Sequence, residues 1–232
     1  MEKGTMFIVA TPIGNLQDIT LRAIETLKSV DYIACEDTRK TGILLKSLNL
    51  NSHPMLISYY EQNEKVRIPN ILNLLINGRD VALVSDGGTP TISDPGFRLV
   101  RQCLKENIKV VSIPGPSAVI TAISSSGLPT DKFIFLGFLP KKPGHRLKLL
   151  KELQISNKKL EATVIIYEAP HRLVKVLVDL NTVFGNINIT LARELTKIYE
   201  EQVSSTIEVF LKKYEKKKPK GEFVILFSPK NL

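Results

Sequence analysis

Only two cysteines occur among the 232 residues, Cys35 and Cys103, and neither has the spacing of a zinc site or a redox pair. Both lie in apolar stretches, which predicts reduced thiols acting as small hydrophobes. Histidine is scarce too, three in all, with no two at metal-ligand spacing, so no metal site is expected. Long hydrophobic runs are missing. Stretches such as 81–84 and 162–166 are strand length, far below the roughly 20 apolar residues that cross a bilayer. The first residues lack the basic region, apolar stretch and cleavage site of a secretory signal, which makes a cytoplasmic location the default expectation. Neither G-x-x-x-x-G-K-[ST] nor G-x-G-x-x-G occurs, which disfavours P-loop nucleoside triphosphatase and ordinary dinucleotide-binding readings.

What is present is the composition of a folded globular chain, 43% apolar and 24% charged. At this length one large or two small α/β domains are expected. The net charge of +9 is unevenly placed. Residues 1–115 carry 13 basic and 12 acidic side chains, whereas residues 116–232 carry 19 and 11. A polyanionic partner would therefore be met mainly by the second half.

Short β-branched runs at 6–10, 81–84 and 110–113 alternate with stretches of helical period at 19–30, 66–76 and 99–105, the pattern of an α/β fold. A Phe-rich strand is expected at 133–138, followed by an exposed connector at 139–144 that marks a domain boundary. This gives a first domain at 1–115 that continues through 116–139, and a second at 140–232. The second should contain a basic amphipathic stretch at 145–153, strands at 163–167, 187–192 and 222–227, and helices at 172–183 and 206–214.

In α/β folds, functional residues sit on loops leaving the carboxyl ends of parallel strands. Three loops stand there: Thr11-Pro12-Ile13-Gly14-Asn15, Ser85-Asp86-Gly87-Gly88-Thr89-Pro90 and Pro114-Gly115-Pro116-Ser117. Tandem glycines let backbone approach a ligand, and an aspartate accepts hydrogen bonds from hydroxyls or an amine. Prolines after three strands favour a rigid rim of exposed carbonyls, suited to a ligand with positive charge or several donors. A tight-turn role serves each proline equally well alone. The charged run Cys35-Glu36-Asp37-Thr38-Arg39-Lys40 follows an apolar strand, and by itself reads as a solvated helix start capped by Asp37.

Eight segments in order resemble the bacterial 16S ribosomal RNA 2′-O-ribose (cytidine) methyltransferases of the tetrapyrrole methylase superfamily. They are Thr11-Pro12-Ile13-Gly14-Asn15-Leu16, Glu36-Asp37-Thr38-Arg39, Ser85 to Pro90 running into Ser93-Asp94-Pro95-Gly96, Pro114-Gly115-Pro116-Ser117-Ala118, Ser126-Gly127-Leu128-Pro129-Thr130-Asp131, Tyr167-Glu168-Ala169-Pro170-His171-Arg172, Ala192-Arg193-Glu194-Leu195-Thr196-Lys197 and Lys220-Gly221-Glu222-Phe223-Val224. Gly87 and Ala169 stand where that family usually carries Ala and Ser.

The resemblance implies two α/β/α domains with the donor cleft between them, a homodimer, and S-adenosylmethionine as methyl donor. It assigns Pro12, Asp86, Gly87, Gly88, Thr89, Pro90, Pro114, Ser117, Ala118, Glu168, Pro170, Gly221 and Phe223 to the donor site. The implied substrate is a cytidine ribose in the decoding region of 16S ribosomal RNA, within the small ribosomal subunit. Glu36, Asp37, Arg39 and Lys197 are the catalytic candidates, because a ribose hydroxyl is a weak acid that needs a base or a nearby cation. The basic stretch 141–159 offers Lys141, Lys142, Arg146 and Lys148 as phosphate contacts, and six more lysines lie at 212–220. Two other readings stay open, a tetrapyrrole methyltransferase of the same fold and a non-catalytic RNA-binding protein.

Overall fold

The computed structural model describes residues 2–50 and 54–228. Packing divides the chain into two units, Met1–Ser117 and Ala118–Leu232. The first contains β1 (Met6–Val9), α1 (Leu21–Ser29), β2 (Tyr32–Cys35), α2 (Thr38–Ser47), β3 (Met55–Ser58), α3 (Glu64–Ile76), β4 (Val81–Val84), α4 (Phe97–Lys105) and β5 (Val110–Ile113). Its five strands form one parallel sheet in the order β3-β2-β4-β1-β5, with Met6 in register with both Val81 and Val110. Strands covered on both faces read as continuous apolar runs, and β4 is buried at all four residues.

Alternation along each strand feeds two cores. Val81 and Leu83 join Ile71 and Leu75 of α3 and Leu99 and Cys103 of α4. Ala82 and Val84 join Ala23 and Leu27 of α1 and Cys35. The two thiols are thus buried in separate cores, where burial pushes that of Cys103 up to about 11. Thr20 starts α1 by accepting the Ala23 N–H at 3.1 Å.

The second unit contains α5 (Ala118–Ser125), β6 (Phe133–Phe138), α6 (Pro143–Leu160), β7 (Thr163–Glu168), α7 (Pro170–Phe184), β8 (Asn188–Arg193), β9 (Glu201–Thr206), α8 (Ile207–Lys216) and β10 (Phe223–Phe227). The sheet order is β6-β7-β10-β8-β9, parallel only between β6 and β7. Leu150, Leu153, Leu173, Leu177, Phe210, Phe223 and Phe227 build its core.

Two expectations shift here. The division falls between residues 117 and 118 rather than at 139/140, because β6 pairs with β7 from Phe133↔Thr163 onward and so belongs to the second sheet. The expected connector at 139–144 is shorter, because Pro143 opens the 18-residue helix α6, where its missing N–H costs no hydrogen bond. Among the described residues no helix is long and apolar enough to cross a membrane.

Candidate functional site

The three loops predicted to matter are joined to one another in the first unit, because they leave the adjacent strands β4, β1 and β5. Thr11 and Gly88 exchange backbone hydrogen bonds at 2.9 and 2.8 Å, and the Thr11 hydroxyl donates to the Ser85 carbonyl. Thr89 Oγ1 donates to the Pro116 carbonyl at 3.1 Å, tying the second loop to the third. A Cβ on Gly87 would sit 3.1 Å from the Pro12 carbonyl oxygen, a contact that a shift of a few tenths of an ångström would relieve, whereas Gly88 has φ +94°, where glycine is favoured.

Beside these loops lies a cavity of about 300 Å³, lined by Thr11, Pro12, Ile13, Gly14 and Leu16, by Lys40, Thr41, Ile43, Leu44 and Ser47 of α2, and by Ser85 and Asp86. Its wall combines apolar side chains with a few polar groups, as small-molecule sites do. Lys40 Nζ lies 2.6 Å from Asp86 Oδ2, and this bond holds the ammonium above its ordinary pKa.

Three carboxylates gather at this edge. Glu36 accepts the Asp86 N–H at 3.3 Å, and burial raises its pKa against that hydrogen bond. Asp94 is pushed up to about 6, first by burial and then by the Glu36 charge, with a Ser85 hydrogen bond opposing. In the sequence Asp94 shows only as part of the turn Asp94-Pro95-Gly96; its raised pKa comes from burial and neighbours that loop folding brings in. The loop is anchored from behind by the buried Glu64, which accepts from Tyr59 Oη at 2.7 Å and the Gly96 N–H at 3.2 Å, while Arg98 meets its other oxygen.

The remaining catalytic candidates are held in a helix cap and in ion pairs. Asp37 caps α2, accepting the Arg39 N–H at 2.9 Å, and the Arg39 side chain doubles back onto the same carboxylate. Those bonds hold Asp37 far below the usual carboxylate range, while the Arg39 side chain stays largely exposed. Lys197, in the second unit, bridges Glu194 Oε1 at 3.0 Å and Glu222 Oε2 at 2.8 Å. Burial pulls its pKa down, but the two carboxylates outweigh this and hold the ammonium charged.

In the second unit, Glu168 at the end of β7 is buried; its Oε1 accepts the Ala169 N–H at 2.8 Å and faces Arg172 Nε at 3.2 Å. Its Oε2 is buried without a hydrogen-bond partner among the described residues, and burial raises the pKa of the carboxyl against the Ala169 hydrogen bond. Pro170 opens α7 and Ala118 opens α5, while Pro114 and Ser117 lie on the third loop. Of the two donor-site positions before and in β10, the Phe223 side chain sits in the second core, edge-on to Tyr214, and a Cβ on Gly221 would meet Glu194 Cγ at 2.5 Å, which leaves their backbone groups as what either could offer a donor. Among the phosphate candidates, Lys141, Lys142 and Lys148 are exposed, but Arg146 is buried, with Nε on Asp179 and NH1 on the Pro140 and Lys141 carbonyls. Among the described residues, no group of three His, Cys, Asp or Glu side chains is placed to hold a metal ion.

A family model described as Tetrapyrrole (Corrin/Porphyrin) Methylases matches residues 5–210. A Halalkalibacterium halodurans protein named Ribosomal RNA small subunit methyltransferase I is 46% identical across 97% of this chain and 76% of its own. A Thermotoga maritima protein of the same name is 44% identical across 98% and 99%. The native form of uroporphyrin III C-methyl transferase from Thermus thermophilus superposes with a TM-score of 0.66 at 17% identity, over 96% of this chain and 97% of that one, a likeness of fold alone. The chain belongs to the tetrapyrrole methylases and, among them, to the family of the ribosomal RNA small subunit methyltransferase I proteins.

Proposed function

We propose that this protein methylates the 2′-hydroxyl of a cytidine ribose in the decoding region of 16S ribosomal RNA, using S-adenosylmethionine, and that it acts as a cytoplasmic homodimer on the small ribosomal subunit. The observation that carries the reading is the nearly full-length likeness to proteins named for that ribosomal RNA. The excess of basic side chains in residues 116–232, with Lys141, Lys142 and Lys148 exposed, supports a polyanionic substrate.

The chain suits such a donor. Its ammonium and ribose hydroxyls need acceptors, which in the first unit the Asp86 carboxylate and the carbonyls of the proline-rich loops supply. S-adenosylmethionine supplies the methyl group as an already activated sulfonium. The remaining tasks for the chain are to hold the ribose oxygen in line with that methyl and to remove its proton. Of the four catalytic candidates, Glu36 retains the chemistry for the second task, with Asp94 beside it as a second proton acceptor close to neutrality.

The test is transfer of labelled methyl to 30S subunits, naked 16S rRNA and a porphyrinoid in parallel. Label on the ribose of one cytidine in either RNA arm is expected. Label only on the porphyrinoid, or none, would overturn the reading.

A further inference from the structure

Ile198 and Tyr199 are adjacent in sequence and 96% and 72% exposed. Single apolar side chains at a surface are ordinary, but these two stand on a loop whose shape is heavily fixed. Glu194 and Thr196 hold positive φ, 51° and 63°, and the Thr196 N–H donates to Glu200 Oε2 at 2.8 Å. Backbone bonds run from the Lys197 N–H to the Glu194 carbonyl and from the Glu200 N–H to the Lys197 carbonyl.

The same loop is sewn to the segment leading into β10. Glu194 N–H donates to the Glu222 carbonyl, and Glu222 N–H returns to Glu194 Oε1, both at 3.0 Å. Lys197 spans the two carboxylates, and Arg193 Nε donates to the Lys220 carbonyl at 2.7 Å. The sewn segment begins at the end of α8 with Lys216, Lys217, Lys218 and Lys220, all exposed and in no ion pair among the described residues. Lys197 and Lys213, by contrast, are neutralised by acids.

An exposed aromatic ring and its apolar neighbour, on a loop hydrogen-bonded to a segment that carries four lysines in no ion pair among the described residues, match what single-stranded nucleic acid asks of a protein: a π-face for a base and cations for the backbone. The core of a protein–protein contact would be depleted of such lysines. The rigidity adds to the fit, since little conformational freedom is left to lose on binding. We infer that residues 194–200 and 216–222 form one RNA contact, in which Tyr199, flanked by Ile198, stacks on an unpaired base while the four lysines hold the adjoining phosphates. The inference rests on the ribosomal RNA reading above and adds to it a base-contacting residue and its place in the fold.

Stacking and phosphate contacts respond differently to salt, so a titration separates them. Binding of 16S rRNA is measured from 50 to 300 mM salt, with thermal unfolding and S-adenosylmethionine binding as folding controls. Tyr199→Ala is expected to weaken binding roughly 5- to 100-fold at every salt with the slope unchanged. Tyr199→Phe should restore it, and Ile198→Ala should give a smaller loss. Replacing Lys217, Lys218 and Lys220 by Gln should lower the log–log salt slope by about 2. If wild-type protein methylates the RNA but Tyr199→Ala binds it as wild type does, this inference alone is overturned. It is overturned equally if the variant changes only the oligomeric state, which would mark a protein contact. If wild-type protein neither binds nor methylates the RNA, the underlying reading falls and this one with it.

Discussion

Arg146 is buried against Asp179, Nε to Oδ2 at 2.5 Å, with the two side chains 5% and 14% exposed. A sequence run of lysines and arginines hides this pair, which locks α6 onto α7 and gathers the Pro140 and Lys141 carbonyls under the same guanidinium. Arg146→Ala leaves Asp179 unpaired and should cost about 3–5 kcal/mol of stability in chemical denaturation. Lys141→Ala, Lys142→Ala and Lys148→Ala, at exposed positions, should leave stability within about 0.5 kcal/mol and lower the salt slope of RNA binding. Equal stability of all four variants would show that Arg146 has no structural role.

The Asp94 carboxyl gives a pH prediction with a definite sign. Its folded pKa, about 6, lies above its ordinary value of 3.8, so between those values the folded state holds the extra proton. Stability from this group is therefore full below about pH 4 and is lost as pH rises through about 6. Asp94→Asn should remove that loss and stabilise the protein at pH 8 by about 1–2 kcal/mol, after allowance for partial solvent screening. If the Asp94 carboxylate takes part in removing the ribose proton, turnover of the variant should fall while its stability rises. Denaturant titrations of wild type and variant at pH 4.5 and 8 check the sign; identical differences at both pH values would refute it.

Much of the fold could be read from residue patterns. β4 and β7 are apolar along nearly their whole length because both faces are covered, and the loops after β1, β4 and β5 announce themselves by Pro and Gly. β3 could not be read that way, since Met55–Ser58 lies at the sheet edge with no buried residue. The site was legible as loops but not as roles. Arg146, Lys197 and Gly221 each owe their function to a partner remote in sequence, and nothing local distinguishes a solvent-facing arginine from one that meets Asp179. Asp37 was the exception. Its cap role is local, and the helix-start reading of the sequence anticipated it.

Glu64 joins three parts of the first unit, the Tyr59 hydroxyl, the Gly96 amide and the Arg98 guanidinium, within a buried site. Burial and the adjoining carboxylate together push the Tyr59 hydroxyl well above its ordinary pKa, keeping it a donor. Glu64→Leu removes both oxygens, so the Tyr59 hydroxyl and the Gly96 N–H lose their shared acceptor together with Arg98. A loss of about 1–3 kcal/mol is expected. Hydrogen exchange at the Gly96 amide should accelerate by a comparable factor, and an unchanged rate would show that Glu64 does not anchor the Asp94 loop.

Gly221 is held at φ +90°, and a Cβ there would meet Glu194 Cγ at 2.5 Å and Oε1 at 2.8 Å. Two separate costs therefore fall on Gly221→Ala, a strained backbone and a collision with a side chain pinned by Lys197 and the Glu222 N–H. The substitution should lower Tm by roughly 3–8 °C. Adding Glu194→Ala removes the collision but leaves the positive φ and strips Lys197 of one carboxylate, so the double variant should recover less than half of the loss. Full recovery would mean that the collision alone matters. No loss in Gly221→Ala would mean that the segment before β10 is free to rebuild, against the sewn geometry from which the Tyr199 contact was inferred.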